Sequence, residues 1–439
     1  MTSDRNVFHH RAAALAMLVL SATGAACFVD NEYPLTEDFG VCRAAPGENS
    51  AGGETGDSAP IGLLSYYEHA KPILDAKCAG GCHIDGGIAP FALDTYDQTL
   101  TARDSMRAAI VSGQMPPWQP DDCCNHYRYD RSLSDAERDT LLAWLDQGQL
   151  LGDPADEGPP LEVDSGGLSR VDVVTTMPEP FTPRPLIGRD ELRCFLLDWP
   201  VDHDTFVTGI NVVPGDRSVV HHVVVAMVPD DVARDLAERD GADGRPGWDC
   251  YGDIGADFRS INIVGGWAPG YQGTEFPDGL GKAVPAGSRV VLNMHYDTGR
   301  GTPADQTSVE FMTTDTPVRE MTGSAVMNPL WLVGDGMSIR AGDPDAMTYF
   351  SWDPTALTGN KPFAIYAVNI HMHELGTIGR LAVLRGDGST ECLLNITRWD
   401  FDWIGEYYLE EPVILYPGDQ LFVECHWDNT AGNQKIVDG

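Results

Sequence analysis

The sequence predicts a mainly β protein: two antiparallel β-sandwich (jelly-roll-like) domains preceded by a small all-α domain. Beyond residue 167, short β-branched runs alternate with Pro-Gly, Gly-Asp and Asp-Gly turns; examples are Val219-Val220, Val223-Val224-Val225, Val290-Val291-Leu292 and Ala364-Ile365-Tyr366-Ala367-Val368. That punctuation belongs to antiparallel strands folding back on themselves. Upstream, two small-residue stretches, 44–60 and 152–167, bracket a segment with helical rather than strand signals. The 439 residues suffice for about three folded units.

The N-terminus reads as a secretory signal over residues 1–27. Arg5 and Arg11 precede the apolar run Ala12 to Leu20, and small residues Ser21 to Ala26 lead into Cys27. The run is too short to remain as a membrane span. Cys27 is a candidate for acylation as in a bacterial lipoprotein, although Gly24 stands where such signals usually carry Leu or Val. An extracytoplasmic location follows (periplasmic, lipid-anchored at the outer membrane, or secreted), with contact to a membrane only through that anchor. There the ten cysteines can form disulfides. Twenty-nine Lys+Arg against 66 Asp+Glu give a net charge of −37, which excludes nucleic acid as an expected partner.

Residues 28–61 read as a flexible linker, 62–152 as the helical domain, and 153–181 as an acidic Pro/Gly-rich linker. The two sandwiches are expected over 182–308 and 309–439. Within the helical domain, Ser65-Tyr66-Tyr67-Glu68 and Ser134-Asp135-Ala136-Glu137 have the capping-box pattern, the latter before Leu141, Leu142, Trp144 and Leu145. Two terminal helices around an irregular middle are expected.

That middle contains Cys78-Ala79-Gly80-Gly81-Cys82-His83 and, downstream, Met115-Pro116-Pro117-Trp118. Two thiols followed by an imidazole can attach one porphyrin by thioethers and ligate its iron, with a Met on a Pro-stiffened loop as the sixth ligand. The plainer alternative is a local Cys78–Cys82 disulfide with His83 at the surface. The segment resembles a small c-type cytochrome domain. The resemblance implies haem c bound by Cys78, Cys82, His83 and Met115, with one residue more between the cysteines than the usual spacing.

The histidines are the second organised feature. His221-His222 lies in a β-branched run, where neighbours point to opposite faces, so both reach one metal only at a strand end or bulge. His295 follows Val290-Val291-Leu292-Asn293-Met294, again on a strand. His371-Met372-His373 has the i, i+2 spacing that puts two imidazoles on one face of a strand. Imidazoles without thiolates suit copper or zinc. Zinc hydrolysis ranks low, because the sequence has no His-Glu-x-x-His.

With these motifs in order, residues 185–430 resemble the copper type II, ascorbate-dependent monooxygenases, the family of peptidylglycine α-hydroxylating and dopamine β-monooxygenases. The matching stretches are Val219-Val220-His221-His222, Gly266-Trp267-Ala268-Pro269-Gly270 with Gly279-Leu280-Gly281, Asn293-Met294-His295-Tyr296, and His371-Met372-His373-Glu374-Leu375-Gly376. The resemblance implies two copper ions. His221, His222 and His295 would hold the electron-storing ion, and His371 and His373 would supply two ligands of the oxygen-activating one. It implies a Cys194–Cys250 bridge and hydroxylation of a C–H bond with O2. The partners would be a small organic substrate and a reductant such as ascorbate or a redox protein, with the haem segment as electron relay.

Two departures accompany it. The family's second site is completed by a Met in a Glu-Met-Cys context, but no Met follows Met372, so the second sandwich is expected to be C-terminally incomplete. An electron-transfer or copper-holding protein without oxygenase activity is therefore the alternative. His426 is expected to be an exposed strand residue rather than the missing ligand. Cys392 is an available partner for Cys425, and the pairing of Cys42, Cys123 and Cys124 stays open. Asn369 stands where peptide-hydroxylating members carry an Arg, which argues against a peptide carboxylate as substrate.

Overall fold

The computed structural model describes residues 35, 39, 62–161, 166–250, 254–257, 261–323, 326–328, 331 and 337–434. The expected signal and lipidation site, residues 1–27, and nearly all of the 28–61 linker lie outside these.

The helical segment holds three helices, not two. The first winds through π-helical turns Tyr66–Ala70 and Asp75–Ala79 on either side of an α-helical turn, Lys71–Leu74. The capping box expected at Ser65 does not form, because the Ser65 N–H donates to His69 Nδ1 at 3.2 Å. The middle, expected to be irregular, contains the helix Tyr96–Val111, started by a Thr95/Gln98 capping box. The last helix, Asp135–Asp146, has its Ser134/Glu137 box. The three share a core around Leu74, Leu93, Met106, Leu141 and the fully buried Trp144.

Everything after this is mainly β. The first β-rich half runs β1 (Val173–Thr176), β2 (Asp190–Leu197), β3 (Thr205–Val213), β4 (Val220–Val228), β5 (Trp248–Asp249), β6 (Asn262–Trp267), β7 (Thr274–Glu275), β8 (Leu280–Val284), β9 (Arg289–Asp297), β10 (Ser308–Thr314) and β11 (Arg319–Glu320). One sheet has the order β5-β2-β9-β4-β6; the other has β1-β10-β3-β8-β11, with β7 pairing β3. Apart from β8–β11 the pairings are antiparallel. Inward residues of both sheets, Phe195, Val223, Val225 and Leu292 from one and Val207, Ile210, Val309 and Phe311 from the other, share one core.

Two expected boundaries shift. The break between 308 and 309 falls inside the second of these sheets, because β10 pairs with β3 and with β1. Within β10, half-buried Ser308 and Glu310 alternate with buried Val309 and Phe311, the pattern of a strand facing the first core on one side. β1 in turn lies within the stretch expected to be the 153–181 linker.

The second half contains β12 (Ala346–Trp352), β13 (Phe363–Val368), β14 (Gly376–Leu384), β15 (Thr390–Ile396), β16 (Tyr407–Leu415) and β17 (Gln420–Trp427). They form a four-stranded sheet, β12-β17-β14-β15, and a β13-β16 pair, all antiparallel.

Cys194 and Cys250 are bridged. Cys392 does not pair with Cys425; it is bonded to Cys124, which leaves Cys425 a buried free thiol. The bridge fastens residues 116–131 to the second half. There Pro120 pairs with Ile396, Tyr127 pairs with Leu409, and the buried Tyr127 hydroxyl donates to Leu393 O at 2.9 Å. Among the described residues no helix is long and apolar enough to cross a membrane. Disulfides fit an oxidising, extracytoplasmic compartment.

Candidate metal centre and adjoining cavity

The first histidine group is made by a β-bulge. Opposite β9, Val220 pairs with Tyr296 and His222 with His295, so His221 is the extra residue of β4. A regular strand would send His221 and His222 to opposite faces; the bulge turns both toward His295. Their Nδ1 atoms stand 3.2, 3.4 and 3.3 Å apart (His221–His222, His221–His295 and His222–His295). Protons cannot satisfy this triangle, since a hydrogen between any two leaves the third lone pair facing both.

A cation satisfies it. The point equidistant from the three nitrogens lies about 1.9 Å from each, close to the ~2.0–2.1 Å length of a zinc–imidazole bond. Among the described residues this is the only cluster of three or more His, Cys, Asp or Glu groups placed to hold a metal. Asp190 Oδ1 accepts the His295 Nε2 hydrogen at 3.0 Å, which leaves the Nδ1 lone pair free to point inward. Burial, reinforced by the neighbouring imidazoles, pushes His221 down to about 4 and also lowers His222, so both rings are neutral donors at pH 7. His222 Nε2 is buried with no hydrogen-bond partner. The three residues fit a first-row metal that accepts neutral imidazole.

His371 and His373 lie beyond the end of β13, in a loop, not on a strand as expected. The alternation nonetheless holds: both imidazoles are exposed, while Met372 is buried in the second-half core on the opposite side. Their ring centroids are 5.2 Å apart and nearly perpendicular. Desolvation, then the adjacent His373, lowers His371. His426, expected to be exposed, is buried, and both ring nitrogens are taken: Nδ1 by Asp345 at 2.7 Å and Nε2 by Glu424 at 2.9 Å. The fully buried Glu424 carboxylate raises its pKa and also receives Arg380 at 2.6 Å. His426 is thus committed to an ionic network.

The Cys78–His83 segment opens onto a cavity of about 490 Å³ whose walls include Cys78, Cys82, His83 and Met115, and also His221 and Trp403. Cys78 and Cys82 are free thiols, not a disulfide. Burial pushes Cys78 up to about 12 and raises Cys82, so both are protonated at pH 7. His83 is buried, and its Nδ1 lies 2.9 Å from Phe91 O; donation there leaves Nε2 as the lone-pair nitrogen. Unpaired thiols and an oriented, neutral imidazole along one apolar cavity fit a covalently held haem. The loop packs so closely that a Cβ on Gly81 would lie 2.6 Å from Gly270 Cα.

Sequence reasoning missed Asp190, because its hold on His295 comes only from a tertiary contact. No motif marks it.

No family model matches the chain. It is similar to DBH-like monooxygenase protein 1 of Gallus gallus, 24% identical over 256 residues, or 54% of this chain and 40% of the relative. The Homo sapiens protein of that name is 26% identical over 243 residues, 51% of this chain and 37% of the relative. DBH-like monooxygenase protein 2 of Mus musculus is 25% identical over 192 residues, 41% of this chain and 30% of the relative. The chain spans less than half the length of these curated relatives, and the similarities support a dopamine β-monooxygenase-like relationship.

Proposed function

We propose that the chain is an extracytoplasmic copper-dependent monooxygenase that hydroxylates a C–H bond of a small organic substrate with O2. In this reading its halves are two β-sandwiches, and a cytochrome c-like domain relays electrons from ascorbate or a redox protein. The observation that carries the reading is the Nδ1 triangle of His221, His222 and His295, supported by the similarity to DBH-like monooxygenase proteins. Copper supplies the one-electron chemistry that O2 needs and zinc lacks.

The protein's own groups have separate tasks. Asp190 fixes the His295 tautomer, and burial keeps His221 and His222 neutral. His371 and His373, both exposed residues, would supply two donors where O2 and substrate meet the second ion. Cys78 and Cys82 would attach haem c, His83 would ligate its iron through Nε2, and Met115, which lines the same cavity, would supply a thioether ligand. His221 borders the same cavity, which favours haem as the electron source for the first site.

The second reading, an electron-transfer or copper-holding protein, is favoured by the second site's having only two imidazoles. Metal analysis with optical and electron paramagnetic resonance (EPR) spectra of the purified full chain tests both. The proposal expects haem c and two nitrogen-coordinated Cu(II) ions per chain. One copper per chain supports the second reading, and a chain that takes zinc but no copper overturns both.

A further inference from the structure

The two histidine groups belong to different β-rich halves, and one short element touches both. It is the 3-10 turn Phe401–Trp403, between β15 and β16. The Phe401 ring stacks on His373 with centroids 5.6 Å apart and planes 23° from parallel. The Trp403 ring lies against His221, with centroids 6.0 Å apart at 53°. Both separations are those of packed rings.

The turn is held from its ends. The Asp400 side chain accepts the Asp402 N–H at 3.0 Å. Gln119 then spans the whole turn: its Oε1 accepts the Asp400 N–H at 3.0 Å, and its Nε2 donates to Asp400 O at 3.0 Å and Trp403 O at 2.6 Å. Gln119 follows Met115 on the loop bordering the cavity that Asp402 and Trp403 also line. A glutamine side chain making three hydrogen bonds to one turn's backbone is a clamp, and an aromatic face steadies an imidazole without competing for its nitrogens.

We propose that the Asp400–Trp403 turn, clamped by Gln119, is the spacer that sets the separation and mutual orientation of the His221/His222/His295 cluster and the His371/His373 pair. Phe401 and Trp403 are positioning residues in this assignment, each acting through the imidazole it covers. The assignment rests on the two-copper reading above. A displacement on the order of an ångström at such a spacer is enough to matter for reacting groups.

The test uses the full chain loaded with two equivalents of Cu(II), with the magnetic dipolar interaction between the ions read by EPR. The parent chain is expected to give one narrow interaction. Gln119→Ala, which touches no imidazole, should broaden or abolish it, as should Phe401→Leu and Trp403→Leu, while Trp403→Phe keeps it. The nitrogen hyperfine pattern of the three-His cluster, read in a His371→Ala/His373→Ala background, should stay the same with or without Gln119→Ala. If the interaction stays as narrow in Gln119→Ala and both leucine variants as in the parent, the spacer assignment is wrong although the two-copper reading stands. A parent chain with nitrogen-coordinated Cu(II) at one site alone ends both.

Discussion

Asp190 settles which nitrogen of His295 faces the cluster. Its carboxylate takes the Nε2 hydrogen, and that bond holds Asp190 itself below the usual carboxylate range. Asp190→Ala frees the ring to rotate or to adopt the other tautomer, either of which turns a proton or a C–H toward the metal position. Cu(II) affinity at the three-His cluster should fall about 10–100-fold, the usual cost of losing such a carboxylate. Competition titration against a chelator measures it, in the His371→Ala/His373→Ala background so that only this cluster binds. Asp190→Asn should lose less, because its amide oxygen still accepts the Nε2 hydrogen. An Asp190→Ala affinity equal to the parent's rules out this role.

The element that carries Asp190 is anchored by an ion pair whose carboxylate titrates at low pH. Arg193, in β2, is 1% exposed, yet its guanidinium makes two bonds to the Asp243 carboxylate, at 2.7 and 2.8 Å. It also donates to the carbonyls of Arg245, Pro246 and Gly247. The loop is thereby tied to the strand that bears the Cys194 bridge. Arg193 holds Asp243 down to about 2. A folded-state value below the unfolded ~3.9 means the pair contributes fully above about pH 4 and loses its contribution as pH falls toward 2. Asp243→Asn should lower the melting temperature at pH 6 and narrow its gap to the parent as pH falls through that window. Thermal unfolding at pH 6 and pH 2.5 checks it; a gap that does not narrow excludes the assigned linkage.

How much of these elements could be read beforehand depended on whether the cause was local. Two adjacent histidines in a β-branched run can meet only through a bulge or a strand end, so the irregularity at His221 was implicit in the spacing. The alternation of His371 and His373 about Met372 was equally local, and it persists although no ladder holds the segment. The Thr95/Gln98 box was present in the letters and went unread. By contrast, Cys392's partner is 268 residues away, and pairings at that distance are decided by which surfaces dock. The same holds for β10, which the expected 308/309 boundary cut from the first half although its Val309 and Phe311 pack in that half's core.

The helical segment is fastened to both β-rich halves, and that arrangement frames the remaining prediction. On one side Cys124–Cys392 and the Pro120–Ile396 and Tyr127–Leu409 pairings bind residues 116–131 to the second half. On the other, Arg131 donates to Pro269 O at 2.6 Å and lies over the Tyr271 ring, and Arg300 donates to Gly87 O and Ala89 O. Arg300 reaches out from just past β9, the strand of His295, into the loop that follows Cys82-His83. It therefore holds the loop after Cys82-His83 against the half that carries the three-His cluster, without belonging to that cluster itself. If electrons pass from haem to that cluster across the shared cavity, loosening this tie slows the transfer and leaves each centre intact. Arg300→Ala should keep the parent's haem spectrum and Cu(II) hyperfine pattern. Reoxidation of dithionite-reduced haem after adding Cu(II) should slow by roughly tenfold or more, as misplacement of reacting groups does. Anaerobic stopped-flow absorbance follows it, with haem giving up one electron to each Cu(II) reduced. A rate equal to the parent's means that electrons reach the cluster by another face.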